Sequence, residues 1–165
     1  MREKPARQSA APSLAGAPRP SKEKMTHRKT VLVVDDIPLM RTILAKYVKS
    51  LGLKILSEEA SGGGLEVIEA PNGKVALERL RSTDVDIVFL DLMMPEMDGL
   101  TFLGIKQQDP SISKIPVIVC SALGEKETVE RARELGATAY IVKPFTQKSI
   151  EEKFREARAV LQEHQ

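Results

Sequence analysis

A single cysteine, Cys120, stands in the whole sequence, so no internal disulfide can form and no cysteine cluster is available for metal or redox chemistry. It sits inside the apolar run IPVIVC, where it reads as a small core residue. Long hydrophobic runs are also missing: none approaches the ~20 residues that a membrane span requires. The start, MREKPARQSAAPSLAGAPRPSKEK, has basic residues but lacks the continuous apolar stretch of a secretory signal. A cytoplasmic protein is expected. With 165 residues, 42% of them hydrophobic, there is material for one well-buried domain and too little for two of ordinary size.

An excess of one sign of charge is missing as well, since the net charge is only +2, but the balance hides an asymmetry. Residues 1–29 hold eight Lys or Arg against Glu3 and Glu23, which leaves residues 30–165 net acidic. With Pro5, Pro12, Pro18 and Pro20 and no apolar periodicity, residues 1–29 read as a disordered basic tail, because nothing in them offsets the entropy of ordering. Short basic arms of this kind are usually solvated, so no specific nucleic acid and no membrane partner is expected. Met25, just ahead of the first apolar run, is a second candidate start.

From residue 30 the pattern alternates. Residues 30–34 (TVLVV), 86–90 (DIVFL), 115–120 (IPVIVC) and 139–142 (AYIV) are continuous apolar runs, as in strands buried on both faces of a parallel sheet. Residues 65–70 (LEVIEA) alternate instead, which suits an edge strand with one wetter side. Between them, apolar residues recur at three- and four-residue spacing over 38–51, 72–81, 99–107, 125–135 and 146–161, predicting five helices. Pro38 suits a first turn, and Gly52 is a natural stop. Strict alternation with short links predicts right-handed crossovers and a doubly wound, mainly parallel sheet. Only residues 52–64 (GLKILSEEASGGG) break the short-link rule; they read as a helix extension or excursion followed by a flexible loop.

Ligands of open α/β sheets bind beyond the carboxyl ends of the strands. Here the first strand ends in Asp35 and Asp36, the third in Asp91, the fourth in Ser121 and Ala122, and the fifth in Lys143. Three carboxylates converging on one rim repel one another unless they are protonated or share a cation. All-oxygen ligation without a nearby His or Cys points to Mg²⁺ or Mn²⁺, which takes one or two carboxylates and leaves another free to react. A carboxylate is a competent nucleophile toward phosphorus, and a cation, an ammonium and a hydroxyl can hold the oxygens of a transferred phosphoryl group. Asp98 before Gly99 and Asp109 before Pro110 read instead as cap and turn formers.

The segments VLVVDD, DIVFLDLMMPEMDG, VIVCSA and AYIVKPF, in this order and spacing, resemble the receiver domain of two-component response regulators over about residues 30–162. The resemblance implies a flavodoxin-like sheet of order 2-1-3-4-5 with five helices. It implies Asp91 as phosphoacceptor, and Mg²⁺ bound by Asp36, Asp91 and the Met93 carbonyl, with Asp35 acting through metal-bound water. Ser121, Ala122 and Lys143 would bind the phosphoryl group, and Ser121 with Tyr140 would form the switch; Lys143-Pro144 matches a step that is commonly cis in the family. It implies as partners a sensor histidine kinase or histidine phosphotransfer protein, and a downstream target that meets the fourth helix, fifth strand and fifth helix. The chain would act as a monomer or a phosphorylation-dependent dimer.

Two departures stand out. Family members often carry polar groups where this chain has Met93 and Leu123, positions that help orient the water attacking the phosphoryl group, so slow self-dephosphorylation is expected. Residues 52–64 are the other. Only EHQ follows residue 162, so a stand-alone receiver, not an enzyme beyond its own phosphorylation and dephosphorylation, is expected. A Mg²⁺-dependent aspartyl-phosphate phosphohydrolase would carry a second Asp in place of Met93. A phosphorylation-independent interaction module would have lost Asp91 or Lys143.

Overall fold

The computed structural model describes residues 28–58 and 64–163. In chain order the elements are β1 (Lys29–Val34), α1 (Pro38–Glu58), β2 (Leu65–Ala70), α2 (Gly73–Ser82), β3 (Ile87–Leu90), α3 (Gly99–Gln108), β4 (Val117–Ser121), α4 (Lys126–Glu134), β5 (Ala139–Val142) and α5 (Gln147–Glu163). All four strand pairings are parallel, and the order is β2-β1-β3-β4-β5. The doubly wound sheet is therefore as expected, with β2 at an edge.

The unbroken apolar strands hide an alternation that divides them between two cores. Leu32, Val34, Val88, Leu90, Val117 and Val119 face α2, α3 and Ala132 of α4. Val31, Val33, Ile87, Phe89, Ile118 and Cys120 face α1 and α5, with Phe89 stacked on Phe154 at 6.3 Å between ring centroids. Each large side chain buried in this way contributes roughly 1.5–3 kcal/mol. A strand that must satisfy both cores has no room for a polar residue until it leaves them, which is why the polar residues appear at the strand ends.

The bounds differ from expectation in two places. β4 begins at Val117, because Pro116 has no N–H to enter the ladder, and it runs one residue further to take in Ser121. α1 does not stop at Gly52 but continues to Glu58, realising the helix-extension reading of residues 52–58. Gly52 lies so close to the Leu65 side chain that any Cβ there would overlap it. The glycine thus serves the approach of α1 to β2, and Lys54 ties the extended helix to Glu151 of α5 at 3.4 Å. The rest of the anticipated loop, residues 59–63, and the basic tail up to residue 27 lie outside the described residues. Among the described residues, no helix is long and apolar enough to cross a membrane.

One buried charge was not anticipated. Lys106 of α3 is only 3% exposed and its Nζ donates to the Ser113 carbonyl at 2.7 Å. Burial pulls its ammonium down from 10.5 to about 8. Between those values the unfolded chain binds the extra proton, so this group's contribution to stability rises with pH across the window. The stability of wild type relative to Lys106→Met is expected to grow from pH 8 to pH 10.5, by a few kcal/mol at most. Parallel melting-temperature profiles of the two proteins over that range would rule this out.

Candidate functional site

Register assembles the rim. Val34 of β1 pairs with Leu90 of β3, so the next residues, Asp35 and Asp91, leave the sheet side by side at the point where strand order reverses. The Asp91 N–H donates to the Val34 carbonyl at 2.9 Å. On the other flank Ser121 pairs with Val142, and the Lys143 N–H donates to the Ser121 carbonyl at 2.8 Å. The Lys143-Pro144 peptide is cis. The loop after Asp91 then folds back: the Gly99 N–H donates to the Leu92 carbonyl at 2.9 Å, and a Cβ at Gly99 would stand 2.7 Å from the Leu92 Cα. A side chain there would push the loop off the end of β3. Asp98 and Asp109 take the cap and turn roles expected of them, accepting from the Thr101 and Ser111 N–H groups at 2.8 and 3.1 Å.

The result is a tight acidic cluster. One carboxylate oxygen each from Asp35, Asp36 and Asp91 lies within 4.8 Å of the others. Asp35 and Asp91 are 2% and 5% exposed, and Ser121 is fully buried. Lys143 Nζ donates to Asp35 Oδ2 at 2.8 Å and stands 3.5 Å from Asp91 Oδ2. Asp35 Oδ1 accepts from the Ile37 N–H at 2.8 Å, so both its oxygens are engaged. Asp91 Oδ1 accepts a long bond, 3.4 Å, from the Met93 N–H, and the Leu92 N–H also faces this carboxylate. No hydrogen bond or ion pair engages the Asp36 carboxylate among the described residues.

Electrostatics follow from this geometry. Burial raises the Asp91 carboxyl above its ordinary value; Lys143 opposes the rise and the Asp35 charge adds to it. For Lys143, burial acts downward, but the bond to Asp35 and the charges of Asp91 and Asp35 outweigh it and leave the ammonium raised. The cluster therefore carries more negative charge than one ammonium balances. Hard oxygen donors, two of them with unfilled acceptor capacity, and a surplus of negative charge fit Mg²⁺.

The remaining candidates gather around this cluster. Ala122, Met93 and Lys143 line, with Asp36 and Asp91, an open cleft of about 420 Å³. Leu123 borders a neighbouring cleft that also includes Asp36 and Met93. Ser121 Oγ accepts from the Leu123 N–H at 3.3 Å, and the Tyr140 hydroxyl donates to the Leu123 carbonyl at 2.6 Å. Tyr140 is thus latched to the loop that leaves Ser121, with its ring half-buried against the core. Burial pushes its phenol up. Cys120, one residue before Ser121, is buried and its thiol is pushed up likewise, which leaves it the inert core residue expected.

Sequence reasoning missed Arg41 and Glu69. Arg41 Nη1 donates to the Asp35 carbonyl at 2.7 Å, and its Nε donates to Glu69 Oε2 at 2.9 Å. Arg41 reads in the sequence as one more polar residue on an amphipathic helix. The signal was the parallel register, which pairs Glu69 with Val33, two residues before Asp35.

Residues 31–155 match the response regulator receiver domain family. The chain is similar to the chemotaxis protein CheY of Bacillus subtilis, 38% identical over 122 residues that span 73% of this chain and 88% of that protein. It is also similar to CheY of Listeria monocytogenes, 40% identical over 116 residues, 70% of this chain and 86% of that protein. In fold it resembles the chemotaxis protein CheY4 of Vibrio cholerae, with TM-score 0.68 and 22% identity, covering 79% of this chain and 99% of that one. The receiver domain of the Francisella response regulator 1452 aligns with TM-score 0.62 and 25% identity, covering 84% of this chain and all of that one.

Proposed function

Since this chain belongs to the response regulator receiver family, we propose that it is a stand-alone, phosphorylation-dependent signalling protein of the cytoplasm, with Asp91 as phosphoacceptor. The observation that carries the reading is the carboxylate cluster beside Lys143 at the reversal point of the sheet. An Asp91 oxygen attacks the phosphorus of a phosphohistidine on a sensor kinase or phosphotransfer protein. The P–N bond breaks, its electron pair returns to the imidazole, and an aspartyl phosphate forms. Asp36, Asp91 and the Met93 carbonyl would hold Mg²⁺, with Asp35 acting through water, and the cation would supply positive charge for the transferred oxygens. Lys143, already raised and held by Asp35, supplies a second positive charge to those oxygens, and the Ser121 hydroxyl and Ala122 N–H supply donors.

Drawing Ser121 toward a new dianion pulls on the loop that Tyr140 holds through Leu123, so phosphorylation and the Tyr140 latch compete for the same backbone. The face that reads out this competition is α4, β5 and α5, where Val142 is an exposed apolar side chain. A target protein, or a second copy once phosphorylated, docks there.

Incubation with a small acyl phosphodonor tests the proposal. With Mg²⁺, intact mass is expected to rise by one phosphoryl group, and hydroxylamine, which cleaves acyl phosphates, is expected to reverse it. The same gain in the presence of a chelator, or a hydroxylamine-stable product, would refute the assignment.

A further inference from the structure

We propose that Arg41 is a positioning residue for the cation, and that Glu69 holds it in that role. This rests on the reading of Asp35, Asp36 and Asp91 as the Mg²⁺ site. The carbonyl that Arg41 Nη1 grips, at 2.7 Å, belongs to the peptide joining Asp35 to Asp36. Fixing that oxygen fixes the rotation of the peptide plane, and with it the direction in which the Asp36 side chain leaves the backbone. Asp36 is the carboxylate with no hydrogen bond or ion pair of its own among the described residues, so its aim depends on this peptide.

Glu69 completes the brace. Its Oε2 accepts from Arg41 Nε at 2.9 Å, and the two side chains are 17% and 44% exposed. The rigid fork of the guanidinium lets one group reach the carbonyl and the carboxylate at once, which the single ammonium of a lysine reproduces poorly. A lone cationic group this close to the cluster would repel Mg²⁺. Paired with Glu69 its charge is largely cancelled, so orientation is the effect that remains. The brace spans from α1 to the end of edge strand β2, a rigid element outside the phosphoryl-binding loops.

Calorimetric titration of Mg²⁺ into the full chain, without any phosphodonor, tests this. Arg41→Ala is expected to weaken Mg²⁺ binding about tenfold, and Glu69→Gln about threefold, with Arg41→Lys recovering only part of the loss. At saturating Mg²⁺ the phosphorylation rate of Arg41→Ala is expected to return close to wild type, because the brace aims a ligand and touches no reacting atom. Wild-type Mg²⁺ affinity in both Arg41→Ala and Glu69→Gln, tighter binding in Arg41→Ala, or full recovery by Arg41→Lys would each overturn the proposal. If Arg41→Ala does not fold, Glu69→Gln at the surface decides alone. Asp36→Asn separates the two ideas: unchanged affinity there would remove the Mg²⁺ site itself, whereas loss there with no loss in the brace variants would remove only the brace.

Discussion

Asp91→Asn is expected to abolish phosphoryl uptake and, in the same protein, to raise the unfolding temperature measured without divalent cations. The two outcomes have one cause. Asp91 is 5% exposed, burial and the neighbouring Asp35 disfavour its ionised form, and Lys143 only partly offsets them. At neutral pH the fold therefore holds a charge that the unfolded chain holds more comfortably. An amide keeps an oxygen to accept from the Met93 N–H and sheds that charge, while Lys143 keeps its shorter bond to Asp35. The gain should be on the order of 1 kcal/mol, or a few degrees in Tm for a domain of this size. Addition of Mg²⁺ should reverse the ranking, since at a hundred times its Kd the cation stabilises wild type by about 2.7 kcal/mol and the variant by less. A lower cation-free Tm for Asp91→Asn would show that the cluster is not strained, and an unchanged mass gain would remove Asp91 from the chemistry.

The placement of these charges at the strand ends explains which parts of this molecule were readable in advance. Strands buried on both faces announce themselves as apolar runs, and the charged residues that follow them are Asp35, Asp91 and, on the far flank, Lys143. Their clustering needed only the parallel order of the strands. What escaped depended on contacts between elements. Gly52 looks like a helix stop because glycine usually is one, and only the packing of α1 on Leu65 makes it a spacer inside a longer helix. Arg41 and Lys106 look like surface residues of amphipathic helices. A single carbonyl each, on Asp35 and on Ser113, draws them in, and periodicity carries no trace of a carbonyl. The same limit applied to Ser121, whose hydroxyl was foreseen at the rim but whose backbone remains inside the last rung of β4.

Once formed, the aspartyl phosphate is expected to persist in isolation for minutes or longer, and Met93→Asn is expected to shorten its life. Hydrolysis requires a water in line with the breaking bond, and a polar side chain beside the phosphoryl group accelerates the step by fixing that water. The flanks of this cleft are apolar: Met93 is 58% exposed at its mouth, and half-buried Leu123 borders the adjoining one. Lys143 is a donor but is committed to Asp35 and, in the proposed reaction, would be taken up by the phosphoryl oxygens. An amide at residue 93 offers both a donor and an acceptor to water without altering the Met93 carbonyl, so Mg²⁺ affinity and phosphoryl uptake should be retained while loss of the phosphoryl group speeds up about tenfold. Leu123→Gln should act in the same direction, and the double variant should be faster than either. Following intact mass after removal of the phosphodonor measures all four proteins. A wild-type half-life of seconds, or unchanged lifetimes across the set with uptake intact, would mean that water is positioned by groups other than these two, and that the apolar flanks do not set how long the signal lasts.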